Sequence, residues 1–246
     1  MKIKRFLKGL IIRVREKEYK GRLHYIYENN HADKLMIVFS GFSPDKPTYN
    51  YMRTLKGFKG INKLFLLDDF GYRGSYYLME NGVDTPKQLV LGLVEELNRV
   101  GKFKELYTMG TSKGGTCAIY FGLQLHANHV YAGACQYLIG DYLNKEDRKP
   151  ILKGMLGDNY SQKDFDKLND VVRMQIKEHQ NTDTMIQLLF SKQEHTYKEH
   201  IEFLLADLNK WSVPYTIQIE QFGDHNNVGA YFIPFIKKEI KKLLDN

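Results

Sequence analysis

Mostly apolar runs of four to seven residues recur along the chain, separated by longer polar segments. The runs are residues 35–39, 64–67, 106–109, 129–135 and 185–190. Continuous runs of this length are typical of strands that are buried on both faces of a parallel sheet. Between them, apolar residues recur at helical spacing, as in Leu89, Leu93 and Leu97. This alternation predicts an α/β protein whose strands are joined by right-handed helical crossovers.

Elements at the two ends of the chain complete the predicted sheet. Residues 11–15 and 23–27 have strand character and are joined across Tyr19-Lys20-Gly21, which predicts an antiparallel pair at one sheet edge. Near the other end, the pattern predicts a helix, a strand and a closing amphipathic helix at residues 200–208, 215–219 and 228–244.

Residues 136–183 differ in character from the rest of the chain. They are polar, compatible with helices and interrupted by glycine and proline, which predicts a helical cap inserted over the sheet edge. We therefore predict one domain, residues 1–246, with a mostly parallel sheet flanked by helices and a cap insertion at about 136–183.

The segment Gly110-Thr111-Ser112-Lys113-Gly114 fits the G-x-S-x-G pattern of a nucleophile elbow. The strand predicted at 106–109 precedes it and a buried helix at 115–121 follows it, which is the strand-turn-helix context that the motif requires. The glycines remove Cβ atoms that would collide across the turn. The pattern thus predicts an α/β-hydrolase-like fold with Ser112 as nucleophile. A phosphate-binding turn is the alternative, but the G-K-[ST] ending of a Walker loop is absent.

A serine nucleophile needs a base, and in the α/β-hydrolase order the acid and then the histidine follow the serine. His225 directly follows the last predicted strand and is the candidate base. Glu194, just after the strand that ends at residue 190, is the favoured acid. Asp183 precedes that strand and Asp224 adjoins the histidine, and both remain alternatives.

Two loops after early strands carry further candidate chemistry. The backbone N–H groups of Phe42 and Lys113 are the candidate oxyanion donors, one after the first buried strand and one after the nucleophile. The loop that follows residues 64–67 offers carboxylates, a guanidinium and tyrosines that could bind sugar hydroxyls or stack on sugar rings. These candidate substrate-binding residues are Asp68, Asp69, Arg73, Tyr76 and Tyr77. The two aspartates could instead cap local turns.

The sequence predicts no metal and no cofactor. His195 and His200 are five residues apart, which does not place them on the same helix face, and no H-E-x-x-H motif is present. Cys117 and Cys135 lie in apolar runs, which predicts buried free thiols rather than a disulfide.

Charge is concentrated at the N-terminus. Residues 1–22 contain nine Lys and Arg and two Glu, so this arm accounts for the whole formal net charge of +7. It is interpreted mainly as a solvated edge hairpin, and as an arm that could meet an anionic surface such as lipid or an acidic glycan. The sequence predicts no specific nucleic-acid partner. Without an apolar segment of transmembrane length or a signal-peptide core, the sequence favours the cytoplasm.

An ordered set of motifs carries a family resemblance. The motifs are Asp68-Asp69-Phe70-Gly71 with Gly74-Ser75-Tyr76-Tyr77, Gly110-Thr111-Ser112-Lys113-Gly114-Gly115, Gln136-Tyr137 with Gly140-Asp141-Tyr142-Leu143, and Glu194-His195-Thr196-Tyr197. Over roughly residues 35–235 the chain resembles capsular polysaccharide biosynthesis proteins of the XcbB/CpsF type. More distantly, it resembles accessory Sec system acetyltransferase-like proteins that modify glycans on serine-rich adhesins.

The resemblance implies a cytoplasmic bacterial protein with an α/β-hydrolase fold that transfers or removes an acyl group on a surface glycan. It gives Ser112, Glu194 and His225 the triad roles. We therefore predict a serine esterase or O-acyltransferase that acts on a glycan or capsular polysaccharide intermediate, together with possible biosynthetic partner proteins. The alternative is a non-catalytic protein that uses the same fold to bind a glycan or partner. A third hypothesis is a peptidase. Motifs alone leave the acyl donor and acceptor open.

Overall fold

An eight-stranded sheet forms the centre of the protein in a computed structural model that describes residues 14–43 and 45–245. In chain order the strands are β1 (Lys17–Tyr19), β2 (Leu23–Glu28), β3 (Lys34–Val38), β4 (Asn62–Leu66), β5 (Glu105–Thr111), β6 (His129–Gly133), β7 (Met185–Ser191) and β8 (Tyr215–Glu220). Across the sheet the order is β1-β2-β4-β3-β5-β6-β7-β8. The six strands from β4 to β8 are parallel, and β1 and β2 add an antiparallel edge.

Helices cover both faces of the sheet. They are α1 (Met52–Leu55), α2 (Thr85–Gly101), α3 (Lys113–Gln124), α4 (Ile139–Leu143), α5 (Lys149–Leu156), α6 (Gln162–Glu178), α7 (Glu202–Lys210) and α8 (Val228–Asp245), with a π-helix at Tyr197–Ile201 and a 3₁₀ turn at His225–Asn227. Within the described ranges, none of these helices is long and apolar enough to cross a membrane.

Two apolar cores lie on opposite faces of the sheet. Leu93 of α2, Phe121 of α3 and Leu204 of α7 belong to the core on one face. Phe232 and Ile236 of α8 belong to the core on the other. Strands between the two cores are covered on both sides, so β4 is buried at all five positions. Double coverage is the physical reason why these strands are continuous apolar runs in the sequence.

The order in which the chain adds strands to the sheet reverses after β4. β3 pairs with β4 on one side and with β5 on the other, although β4 precedes β5 in the sequence. In open α/β sheets, ligands bind beside the carboxyl ends of the strands at such a switch point. This places the loop after β3 and the turn after β5 next to each other.

The predicted fold class is confirmed, with a mostly parallel sheet flanked by helices. The free, buried state predicted for Cys117 and Cys135 is also confirmed. One edge strand was predicted in the wrong place: β1 occupies Lys17–Tyr19 rather than residues 11–15, of which 11–13 lie outside the described residues. A turn at Lys20 and Gly21, both with positive φ, brings β1 back against β2, so the strand must end where the turn begins.

The segment 136–183 contains the whole of α4, α5 and α6. The longest of these helices, α6, packs against α3 and α7 and contributes Leu168 and Val172 to the core, so it acts as the crossover helix between β6 and β7. The shorter α5 lies against the loop after β4, where Asn81 and Gly82 donate backbone hydrogen bonds to carbonyls of Gly154 and Met155. The cap itself stays a prediction.

Close backbone packing surrounds the turn after β5. A Cβ atom on Gly110 would lie 2.3 Å from the backbone of Gly114, and a Cβ atom on Gly114 would lie 2.6 Å from the carbonyl oxygen of Phe39. Neither backbone atom can move away without shifting a strand or helix. Both motif glycines are therefore required by steric contact.

We expect Gly114→Ala to lower the free energy of unfolding by about 1–3 kcal/mol, because its methyl group would overlap the Phe39 carbonyl. The matched control is Gly229→Ala, since Gly229 is also the second residue of a helix and a Cβ atom there would have no neighbour within 4 Å. The control should be neutral or up to about 1 kcal/mol more stable, since alanine favours helix. Urea denaturation of both variants tests this, and equal changes would contradict it.

Candidate active site

Ser112 stands at the junction of β5 and α3 in a strained backbone conformation. Its φ is 53°, a value that non-glycine residues rarely adopt. Its N–H donates to the Gly133 carbonyl at 2.8 Å, and its own carbonyl accepts from the N–H groups of Gly115 and Thr116. These hydrogen bonds hold the turn in place, and the partly exposed serine lies at the carboxyl end of the strand.

His225 lies in the 3₁₀ turn that follows β8, and its ring bridges two side chains. Nε2 is 2.8 Å from Ser112 Oγ, and Nδ1 is 2.9 Å from Glu194 Oε1. Donation from Nδ1–H to the carboxylate leaves the Nε2 lone pair free to accept the serine proton. This arrangement is that of a Ser-His-Glu triad.

Glu194 is buried in the turn after β7, where several donors surround its carboxylate. Thr196 Oγ1 donates to Oε2, while His225 Nδ1 and His195 Nε2 lie 2.9 and 3.2 Å from Oε1. Burial alone raises the pKa of Glu194, but the hydrogen bonds from His225 and Thr196 and the nearby histidine charges outweigh it and hold the pKa below its usual value. The carboxylate is thus stabilised in its ionised form.

The two alternative acids lie elsewhere. Asp224 Oδ1 accepts hydrogen bonds from the backbone N–H and side-chain amide of Asn226, so this carboxylate caps the turn that carries His225. Asp183 is exposed and precedes β7, at the opposite end of that strand from Glu194. The structure brings only Glu194, among the three candidate acids, into contact with the imidazole.

Most of the predicted substrate-binding loop faces inward. Asp68 Oδ2 accepts backbone N–H groups of Ser75 and Tyr77 and lies 2.5 Å from Lys113 Nζ, and both charged side chains are almost fully buried. Tyr77 donates its hydroxyl to the Leu66 carbonyl, while Tyr76 is also fully buried. The prediction that Asp68, Tyr76 and Tyr77 contact a sugar directly is therefore corrected, because their side chains are buried and their polar atoms already have partners inside the protein.

The other two residues of that set lie nearer the surface. Asp69 Oδ2 is 2.8 Å from His24 Nδ1, and burial raises the pKa of Asp69. Arg73 donates from its guanidinium to the Ser43 carbonyl at 3.0 and 3.2 Å, which ties the loop after β4 to the loop after β3. Their roles in substrate binding stay predictions.

Comparisons with known proteins place this geometry in context. No protein-family model matches the chain, and no curated protein matches it significantly. A capsule O-acetyltransferase of Neisseria meningitidis serogroup A superposes with a TM-score of 0.80 and 25% identity, over 92% of this chain and 94% of that one. A histidine-to-alanine mutant of that enzyme has been solved in complex with CoA.

More distant structures share the fold. A glycosylation-associated protein complex of Streptococcus agalactiae gives a TM-score of 0.72 at 16% identity, over 94% of this chain and 46% of that one. A fluorophosphonate-binding serine hydrolase of Staphylococcus aureus gives 0.66 at 16% identity, over 91% and 92%. The chain has the α/β-hydrolase fold. It resembles the capsule O-acetyltransferase along nearly its whole length.

The oxyanion donors of an α/β-hydrolase come from the residue after the nucleophile and from the loop after an early strand. Here the loop after β3 lies against the turn after β5, since a Cβ atom on Gly41 would be 3.7 Å from the Thr111 carbonyl. Neither the Phe42 nor the Lys113 N–H donates to another residue within the described ranges. The oxyanion role of these two backbone N–H groups stays a prediction.

The side chains of the two oxyanion candidates are packed together. Lys113 Nζ lies 5.3 Å from the centre of the Phe42 ring and 5.0 Å from that of Tyr77, and the Phe42 ring packs edge-on against Tyr76. The Lys113 side chain is fully buried. Its aromatic neighbours and the Asp68 carboxylate make burial of the charge possible.

Three residues near the triad were not assigned a role from the sequence. Gln136 Nε2 donates to Ser112 Oγ at 2.9 Å, Thr196 donates to Glu194, and His195 lies beside the same carboxylate. Gln136 follows β6 by three residues, so inspection of every post-strand loop would have found it. His195 and Thr196 follow β7 by four and five residues and belong to the Glu194-His195-Thr196-Tyr197 motif, so the same inspection would have found them. Their contacts with Glu194 depend on how the turn after β7 folds.

One group of described residues has the composition of a metal site. Ligand atoms of Glu194, His195 and His225 all lie within 4.8 Å of one another. Two of the three already belong to the hydrogen-bonded chain that ends at Ser112. We therefore derive no metal chemistry from the group.

Removal of one partner of the buried ion pair should destabilise the protein. We expect Lys113→Met to lower the free energy of unfolding by about 3–5 kcal/mol, because it leaves the buried Asp68 carboxylate without its counter-ion. The double variant Lys113→Met/Asp68→Asn should recover part of that loss. Urea denaturation measures both, and a double variant less stable than the single one would contradict the assignment.

The lowered pKa of Glu194 predicts a pH-dependent contribution to stability. A carboxyl whose folded pKa is below its unfolded value of about 4.3 stabilises the fold above that pH, and the contribution is lost as pH falls through the folded pKa. Below about pH 4 the wild type should therefore lose unfolding free energy relative to Glu194→Gln.

Thermal denaturation between pH 7 and pH 3 measures that difference. Asp183→Asn removes an exposed carboxylate outside the triad and is the matched control. A wild-type advantage over Glu194→Gln that is independent of pH would contradict the role assigned to the carboxylate.

Proposed function

We propose that this protein is a serine-dependent O-acyltransferase that acts on a glycan or capsular polysaccharide intermediate, with a CoA thioester as acyl donor. The observation that carries the proposal is the chain from Ser112 Oγ through His225 to Glu194, with contacts of 2.8 and 2.9 Å. Support for the substrate class comes from the likeness to the Neisseria capsule O-acetyltransferase and from the CoA bound to its mutant.

In the first half-reaction, Ser112 Oγ attacks the thioester carbonyl while its proton passes to His225 Nε2. Glu194 stabilises the imidazolium that forms, and the backbone N–H groups of Phe42 and Lys113 receive the oxyanion. The C–S bond then breaks, and the sulfur leaves as a thiol with the proton from His225. The product is an acyl ester on Ser112.

In the second half-reaction, a glycan hydroxyl donates its proton to His225 Nε2 and attacks the acyl ester. The bond from the acyl carbon to Ser112 Oγ breaks, and the proton returns from His225 to the serine. Water in place of the glycan hydroxyl would give an esterase. The proposed catalytic set is thus the same for transfer and for hydrolysis, and the acceptor decides between them.

A fluorophosphonate probe should label the wild-type protein and should not label Ser112→Ala, because an activated serine displaces fluoride from the probe and forms a phosphonate ester. Gel fluorescence after a timed incubation measures this, and Ser161→Ala, which removes the serine that caps α6, is a matched control that should label normally. Equal labelling of wild type and Ser112→Ala would overturn the assignment of the nucleophile.

The acceptor is tested by thiol release from acetyl-CoA. We expect release to rise at least about tenfold when unacetylated capsular polysaccharide is added, since the sugar hydroxyl then replaces water. The same rate with and without glycan would favour an esterase. A protein that is not labelled, releases no thiol and is retained on a polysaccharide column would favour the non-catalytic alternative.

A further inference from the structure

Ser112 Oγ is held between two side chains of opposite hydrogen-bonding character. His225 Nε2 lies 2.8 Å away as an acceptor, and Gln136 Nε2 lies 2.9 Å away as a donor. The serine hydroxyl can therefore donate its proton to His225 while its oxygen accepts from Gln136. The second contact is outside the Ser-His-Glu chain and outside the two backbone donors considered for the oxyanion.

Gln136 is fixed to the element that carries the nucleophile. Its backbone N–H donates to Thr116 Oγ1 at 3.0 Å, and the same hydroxyl donates to the Gln136 carbonyl at 2.7 Å. Thr116 lies in α3, one turn after Ser112, and its own N–H donates to the Ser112 carbonyl. The backbone of Gln136, from which the side-chain amide extends, is thus held at a constant position relative to the serine.

A buried tyrosine lies beside the other end of the Gln136 amide and favours one orientation of it. The Tyr76 hydroxyl lies 3.4 Å from Gln136 Oε1, so the carbonyl end is directed to the phenol and the NH₂ end to the serine. Burial raises the pKa of Tyr76 well above its usual value, so the phenol keeps the proton that it donates. The reverse orientation would direct Oε1 at Ser112, where it would compete with His225 for the serine proton.

Both side chains are shielded from water. Gln136 is 1% exposed and Tyr76 is fully buried. A hydrogen bond to a developing negative charge is strong in such surroundings, because water neither screens it nor replaces it. Preorganised donors of this kind are the usual source of electrostatic catalysis.

We propose that Gln136 is a catalytic residue whose side-chain N–H stabilises Ser112 Oγ whenever that oxygen carries developing negative charge, and that Tyr76 is the positioning residue that orients the amide. The inference rests on the proposed acyl-enzyme mechanism. During acylation the charge develops as the Oγ proton moves to His225 and the bond from Oγ to the acyl carbon forms. During deacylation it returns as that bond breaks and Oγ leaves. One donor therefore assists both half-reactions.

The test compares second-order rate constants for fluorophosphonate labelling. Gln136→Met keeps the length of the side chain and removes the donor, and we expect it to label about 10-fold to 100-fold more slowly. Gln136→Glu keeps the shape and the acceptor for Tyr76 but presents a carboxylate to Ser112, so it should label at least as slowly. Tyr76→Phe should show a smaller loss, below about tenfold, because the amide is then free to rotate.

A buried glutamine with a different partner gives a matched control. Gln175→Met, in α6, makes the same change at a position that contacts His179 rather than Ser112, and it should label at the wild-type rate. The pH dependence of labelling separates catalysis from displacement of the triad. Loss of the donor lowers the rate equally across the pH range, whereas a displaced His225 would also change the pH at which labelling falls.

The outcomes separate this inference from the proposed function. A folded Gln136→Met protein that labels within about twofold of wild type would overturn the role of Gln136 and leave the triad intact. If Gln136→Met does not fold, wild-type rates for both Gln136→Glu and Tyr76→Phe would overturn it instead. Absence of labelling in the wild-type protein would overturn the proposed function itself.

Discussion

The backbone of Gly114 packs against the carbonyl of Phe39, and the rest of the site depends on this contact. It brings the first turn of α3 against the end of β3, at the point where the sheet order reverses. Neither Gly110 nor Gly114 leaves room for a Cβ atom, and the turn between them bends sharply through Ser112, which takes up a positive φ. Steric exclusion between two backbones therefore places the serine at the carboxyl edge of the sheet.

A buried ion pair fixes the geometry of the chain around that turn. Lys113 and Asp68 form an ion pair inside the protein, and Asp68 also receives N–H groups from its own loop. Such a pair costs desolvation, so its value here lies in fixing the geometry of two loops rather than in net stability. On the other side of the site, Glu194 is buried and ionised because Thr196 and two histidines surround it. The two buried carboxylates, Asp68 and Glu194, thus have separate sets of partners.

The known structures resemble this protein either in fold alone or in both fold and sequence. Structures of serine hydrolases at 16% identity share the fold, and the fold alone is compatible with many reactions. The capsule O-acetyltransferase shares 25% identity over 92% of the chain, which extends the likeness to the sequence. The fold therefore does not decide the reaction by itself, and the capsule O-acetyltransferase offers one chemistry for comparison, the transfer of an acetyl group.

The sequence by itself determined the α/β class, most strand positions and the elbow at Ser112, because burial on two faces and the steric need for Gly110 and Gly114 are visible in local patterns. The order of post-strand loops also nominated Glu194 and His225. Only the tertiary structure decided that Glu194, and not Asp224, contacts the imidazole, since the two carboxylates differ in which hydrogen-bond donors surround them. The inward orientation of Asp68 and Tyr76, and the contact of Gln136 with Ser112, were likewise decided there. Such contacts depend on which loops meet in three dimensions, and no local pattern encodes that meeting.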